Sequence, residues 1–240
     1  GMLVWQDLVN GGGTCRRWFV TYFATAASCL HIPVKDTHRG LFSRREREGR
    51  LQFQREMKET VKALSNHPSV VAWVLFNEGW GQFQTRRLEE ALRRLDPFRL
   101  IDAASGWFDQ GGGDILSIHS YFFSYSLKKN SAPKGEKSAV RKRAAALTEY
   151  GGYCLPVEGH RDSGKTYGYR LYAKPEAFLR ALEALWEKSV RKRIKEGLSA
   201  AVYTQLSDVE EEINGLLTYD REVMKVSAEK LRALNRKLSD

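Results

Sequence analysis

Six apolar, β-rich runs alternate along this chain with segments of helical period, and that alternation narrows the possible folds more than anything else in the sequence. The runs are residues 2–7, 70–78, 99–106, 114–121, 144–149 and 199–206. Most are too apolar to keep one face in water, which predicts parallel strands covered on both sides by helical crossovers. Between them, Met57, Val61 and Leu64 recur at helical spacing, and the segment stops at Asn66, ahead of Pro68. Thr85 is a candidate N-cap for a second helix through Leu88, Ala91, Leu92 and Leu95, ending at Pro97. Pro175 suits the first turn of a third, whose Phe178, Leu182, Leu185, Trp186 and Ile194 form one stripe. A last helix carries Val226, Leu231, Leu234 and Leu238. These stripes are core packing and carry no chemistry.

Strands each followed by a helix or long loop point to an α/β chain closed as a barrel rather than spread as an open sheet. No Gly-rich phosphate turn follows any run, and the glycine triplets at 11–13 and 111–113 lack the spacing of a dinucleotide or phosphate-binding fingerprint. With 240 residues, 42% of them hydrophobic, the expectation is one barrel domain over the whole of 1–240. No apolar stretch approaches the ~20 residues of a membrane helix, and no charged leader precedes the first run, so no membrane is expected and the cytoplasm is the default compartment. Cys15, Cys29 and Cys154 lack CxxC spacing, which argues for reduced thiols over a disulfide framework or a zinc site. The net charge of +10 raises nucleic-acid binding, yet acidic residues interrupt or flank the basic clusters at 44–50 and 191–193, and none of the clusters adjoins a nucleic-acid motif. Solvated helix faces account for them.

Glu78 ends the run VVAWVLFNE and Glu149 ends AAALTE, and each leads straight into glycine and aromatic residues. The C-terminal end of a buried parallel strand is where such barrels hold their chemistry. Hydrolysis of a glycoside with retention needs two carboxyls ~5 to 5.5 Å apart, one to protonate the leaving oxygen and one to attack the anomeric carbon.

Three segments resemble family 2 glycoside hydrolases: NHPSVVAWVLFNEGWGQF (66–83), ALTEYGGY (146–153) and YTQLSDVEEEINGLLTYDR (203–221) are similar to that family's fourth, seventh and eighth barrel strands. The opening GMLVWQD is similar to the third. The resemblance implies that Glu78 is the acid/base and Glu149 the nucleophile of a retaining, exo-acting β-glycosidase that uses neither cofactor nor metal. It also implies that Asn77 hydrogen-bonds the sugar 2-hydroxyl, although a strand-end turn would suit the same residue.

Other positions are candidates for carbohydrate binding. Tyr121, at the end of IHSY, could donate to the nucleophile carboxylate, and His119, two residues earlier, faces the same side; each could instead belong to the core or the rim. Trp80 and Trp107 follow strand ends and would either stack on a sugar ring or pack under loops. Asp7, Gln82, Gln205 and Asp208 sit where hydroxyl-binding groups are wanted.

Because the third-strand segment begins at residue 2, the resemblance predicts a (β/α)8 TIM-barrel-like fold lacking its first two β/α units. Apolar parallel strands tolerate open edges poorly. Either residues 11–54, with the β-prone WFVTYF at 18–23, fold into the gap, or a second copy of the chain covers it; self-association is the expectation. A different class of function then stands beside the enzyme: a non-catalytic carbohydrate-binding or assembly fragment of such a barrel.

Overall fold

The computed structural model describes residues 1–13, 22–23, 34–37, 39–121, 125, 127 and 143–238. They fall in two compact units, the first from Gly1–Ile118 and Ser131–Ala144, the second from His119–Asn130 and Ala145–Asp240. Cys15, Cys29 and residues 18–21 of the WFVTYF segment lie outside the described residues.

In the first unit, β1 (Val4–Asp7), β2 (Val70–Val74) and β3 (Leu100–Asp102) form a parallel sheet in that order. Gln6 pairs with Trp73 and Trp73 with Ile101. Helix α1 (Arg47–Leu64) and helix α2 (Thr85–Leu95) supply the crossovers. Phe53, Met57 and Val61 recur every four residues on α1, so they share one face, and that face is buried against Trp73, Leu75, Phe76 and Phe83. Leu88 and Leu92 of α2 complete the same core. β2 is shorter than the expected run to residue 78, but its ladder continues irregularly: Leu75 N–H donates to Asp102 O, Ser105 N–H to Phe76 O and Glu78 N–H to Ser105 O.

Thr85 does not cap α2. It is the first helical residue, and both its N–H (2.7 Å) and its hydroxyl (2.6 Å) donate to Asp36 Oδ2. A carboxylate from a distant segment therefore caps this end, where the helix dipole favours negative charge. At the other end Asp96, 4% exposed, accepts from Trp73 Nε1 (3.0 Å) and Arg99 Nη1 (2.6 Å). Burial pushes the Asp96 carboxyl up, yet the hydrogen bonds from Arg99, Trp73 and the amides of Phe98 and Arg99 hold it below its ordinary range.

β4 (Ile115–Ser120) and β5 (Ala144–Gly151) begin in the first unit and continue in the second. There β5 pairs in parallel with β8 (Leu198–Thr204), and β6 (Tyr153–Cys154) with β7 (Arg170–Leu171). Helix α3 (Pro175–Leu185) opens on the expected proline and passes through a π-helical stretch, Trp186–Arg191, into the short α4 (Lys192–Ile194). The buried Phe178, Leu182, Trp186 and Val190 recur every four residues, a spacing that drifts around a regular α-helix and that the wider π turn helps hold to one side. Ile194, expected in this stripe, is 40% exposed. Helix α5 (Ala228–Arg236) starts at a Ser227 cap that accepts from Lys230 N–H, so Val226 and Leu238 flank it rather than belong to it. No helix among the described residues is long and apolar enough to cross a membrane.

Candidate active site

The irregular end of the β2 ladder positions Glu78. Asn77 bridges Ser105 in parallel, and the chain then turns sharply: Glu78 has φ +50°, Gly79 +75° and Gly81 +67°. A glutamate in the left-handed region is uncommon and carries local strain. The turn closes through Trp80 N–H to Asn77 O (2.9 Å) and is gripped from outside by Gly11 N–H to Trp80 O (3.3 Å) and Arg44 Nε–H to Gly81 O (3.0 Å). A Cβ at Gly81 would lie 1.5 Å from Gly11 O, so only glycine lets these segments approach. Asn10 Oδ1 accepts from Asn77 N–H (3.2 Å). The buried Asn77 Oδ1 finds no hydrogen-bond partner among the described residues.

Around this strand end Trp80 is 37% exposed and Asp7, closing β1, is exposed. Of two other expected ligand residues, Gln82 is fully buried and Trp107 half-buried. The Gln82 amide donates to Thr85 Oγ1 (3.1 Å) and Phe108 O (3.0 Å), which braces the turn, while its Oε1 finds no hydrogen-bond partner among the described residues. Trp107 packs in a small cluster with Phe42, Val34, Leu41 and Phe108. Phe108, which accepts from Gln82, and Phe42, against which Trp107 packs, come from separate segments.

In the second unit Glu149 lies where the β5–β8 register shifts, between Leu147 and Tyr150. Such irregularities re-aim a side chain. The Tyr121 hydroxyl donates to Glu149 Oε2, and Thr204 Oγ1, at the end of β8, lies 3.4 Å from the same hydroxyl. His119 Nδ1 is 3.7 Å from Glu149 Oε2, and its side chain is fully buried. Burial, and next the charge of Glu149, push the Tyr121 hydroxyl well above the ordinary tyrosine range. It therefore stays protonated and keeps donating, and a hydrogen bond to the ionised form favours a charged carboxylate at Glu149.

Gly151 (φ +96°) and Gly152 (φ +63°) then turn the chain away. Tyr150 is buried against Trp186 and Tyr203. Gln205 Nε2 donates to Asn214 Oδ1 (2.7 Å) and Glu212 Oε2 (3.2 Å), so its amide is spent on its own loop. Asp208 Oδ1 accepts from Lys225 Nζ (2.7 Å) and Gly215 N–H (2.8 Å), and the side chains of Asp208 and Lys225 are both buried.

Sequence reasoning missed Asn10, Thr204 and Asn214, each of which holds an expected site residue. No local signal marks them. One set of potential metal donors, His160 Nδ1 with Asp220 Oδ2 (2.7 Å) and Glu222 Oε2 (3.9 Å), lies at the surface. Asp220 is held down to about 2 by hydrogen bonds, first from Thr218 and then from His160.

A family model described as "Glycosyl hydrolases family 2, TIM barrel domain" matches residues 41–235. Among solved structures, that of a GH2 β-galacturonidase from Eisenbergiella tayi bound to galacturonate is similar to this chain with a TM-score of 0.58 at 17% identity, covering 82% of this chain and 38% of the other. That of a β-D-glucuronidase of Dictyoglomus thermophilum has a TM-score of 0.56 at 17% identity, covering 82% and 36%. The chain thus spans little more than a third of either protein, and at these identities the likeness is one of fold. No curated protein matches the chain. The match over 41–235, on parallel strands joined by helical crossovers, establishes that this chain belongs to family 2 of the glycosyl hydrolases, through that family's TIM barrel domain.

Proposed function

We propose that this chain is the catalytic barrel of a retaining glycosidase that hydrolyses a β-linked O-glycoside by double displacement. Glu149 attacks the anomeric carbon while Glu78 gives its proton to the departing glycosidic oxygen, leaving a glycosyl ester on Glu149 and a free aglycone alcohol. Glu78, now a carboxylate, takes a proton from water; the water oxygen displaces Glu149 and releases the sugar with its configuration retained. The chemical step needs no cofactor or metal.

One observation carries this reading: the hydroxyl of Tyr121 donates to Glu149, two residues before the end of β5, with His119 beside it. That environment suits a carboxylate that must be ionised to attack. Asn77 contributes a buried oxygen without a donor among the described residues, which a sugar 2-hydroxyl would satisfy. Trp80, 37% exposed beside Glu78, offers an aromatic face to a sugar ring. The galacturonidase and glucuronidase likenesses make uronic acids the first glycosides to try, since those proteins share the fold.

A second copy of the chain is the protein partner we propose. β1 is an edge strand of the described sheet, and Met2 and Leu3 beside it are 79% and 73% exposed. Pairing along that edge would satisfy its free backbone groups with a strand of the second copy. Light scattering at micromolar concentration is expected to give a dimer or larger; a strict monomer would contradict it.

The enzymatic reading is tested with activated 2-deoxy-2-fluoro β-glycosides of glucuronic acid, galacturonic acid, galactose, glucose and mannose, followed by peptide mass spectrometry. A covalent glycosyl adduct on Glu149 is expected with at least one. Absence of any adduct on a folded chain would favour the binding or assembly role instead.

A further inference from the structure

The proposed nucleophile depends on Tyr121, and the orientation of Tyr121 depends in turn on a ring that no strand-end pattern marks. Tyr169 stacks face to face on it, with centroids 4.0 Å apart and planes at 22°. Tyr169 is held at that place from both sides. Its N–H donates to Gly152 O (3.1 Å), three residues beyond Glu149. The next residues, Arg170 and Leu171, pair in parallel with Tyr153 and Cys154, and Tyr172 N–H donates to Cys154 O (2.8 Å). The segment leaving the nucleophile strand therefore returns to it as β7, carrying Tyr169 at the point of return.

Two glycines make the fit. A Cβ at Gly152 would stand 2.3 Å from Cδ2 of Tyr169 and 3.2 Å from Cδ1 of Tyr121, so the stack occupies the space that any side chain there would need. A Cβ at Gly168 would stand 1.9 Å from Cys154 Sγ, so the backbone ahead of Tyr169 lies directly against β6. Tyr167 adds an edge-on contact to Tyr169, at 6.2 Å and 64°, and is itself tied to the loop after β8 by its N–H to Glu211 O (2.7 Å).

We propose that Tyr169 is a positioning residue for the glycosylation step: its stacked ring fixes the Tyr121 ring so that the phenol donates to Glu149, and the β6–β7 return exists to deliver it. The inference rests on the reading of Glu149 as nucleophile. The ring, not the Tyr169 hydroxyl, performs this role. Losing the ring frees Tyr121 to rotate, weakens its donation to Glu149 and raises the pH at which Glu149 becomes ionised.

The test is a double-mutant cycle on the full chain, reading the rate of covalent labelling by a reactive 2-deoxy-2-fluoro β-glycoside across pH, with thermal melts to show that each variant is folded. Tyr169→Phe is expected to label within about 2-fold of the parent, and Tyr169→Leu to slow labelling by about 2- to 12-fold, the range set by an aromatic pair. The acidic limb of the Tyr169→Leu profile should move to higher pH. In the Tyr121→Phe background, Tyr169→Leu should cost nothing further, because the hydrogen bond it serves is already gone. Parental labelling by Tyr169→Leu, or the same slowing in both backgrounds, would overturn the positioning role while leaving the nucleophile assignment in place. A parent chain that takes no label from any of the sugars would overturn both.

Discussion

Replacing Lys225 by methionine removes one half of a buried ion pair and leaves the other half in place. Lys225 has a fully buried side chain and Asp208 is 2% exposed, with Nζ to Oδ1 at 2.7 Å. Nζ also donates to Ile213 O (2.9 Å), and Asp208 Oδ1 accepts from Gly215 N–H (2.8 Å), so the pair ties together the loop after β8. Burial pushes the Asp208 carboxyl up and the Lys225 amine down despite their mutual attraction, the mark of two charges held at the expense of their hydration. Methionine keeps most of the volume but strands the carboxylate, a change that costs about 3–5 kcal/mol. For a chain of this length that is a drop of roughly 6–20 °C in melting temperature.

The same reasoning fixes the pH dependence. A carboxyl whose folded pKa is raised weighs against folding once it ionises and is relieved by protonation, so the deficit of Lys225→Met should shrink between pH 7.5 and pH 4.5. Adding Asp208→Asn removes the charge while keeping the acceptor for Gly215, and should recover more than half of the loss at pH 7.5. Calorimetric melts of the parent, the single and the double variant decide it. A Lys225→Met loss under about 1 kcal/mol, or a double variant no more stable than the single one, would refute the assignment of a stranded buried charge.

Tyr121→Phe removes a hydrogen bond to a charged group, worth about 1.5–3 kcal/mol, and should slow glycosylation by roughly 10- to 150-fold with the acidic limb of the rate profile moved upward. Because burial and Glu149 hold the Tyr121 hydroxyl above its ordinary range, the parent should show no alkaline loss from this group below about pH 10. Asp36→Ala takes the capping acceptor from Thr85 and should cost about 1–2 kcal/mol in urea unfolding, with Asp36→Asn restoring much of it. Burial first of all pushes the Cys154 thiol up to about 11, so iodoacetamide at pH 8 should leave Cys154 unmodified in the native chain and alkylate it in urea, as read by peptide mass spectrometry.

Much of the strand placement was legible because most of the runs are apolar on both faces, a pattern few other elements share, although β8 leaves Ser199, Ala201 and Val202 exposed. β2, β4 and β5 begin at or beside the start of their expected runs. Glu78 and Glu149 were legible as strand-end carboxylates for the same reason: a charge that closes an apolar run stands out. Side-chain partners were not. Thr85 looks like a cap from its own neighbours, and only the fold brings Asp36 to it. Gln82 follows a strand end but is buried, because the turn through Glu78, Gly79 and Gly81 departs from the alternation of an extended strand, and Trp107 is half-buried against Phe42, which a distant segment brings to it. The stack of Tyr169 on Tyr121 joins two segments far apart in sequence, and the only trace of it is the density of tyrosines in TYGYRLY (166–172).

Azide rescue tests the division of labour between the two glutamates most directly. With an activated aryl β-glycoside, Glu149→Ala in azide should regain turnover and release an α-glycosyl azide, the anion attacking from the face the nucleophile has vacated. Glu78→Ala should release the β-glycosyl azide, formed when azide displaces an intact Glu149 ester. Interchanged products, or parental hydrolysis by either variant, would contradict the assignment of Glu78 as acid/base and Glu149 as nucleophile.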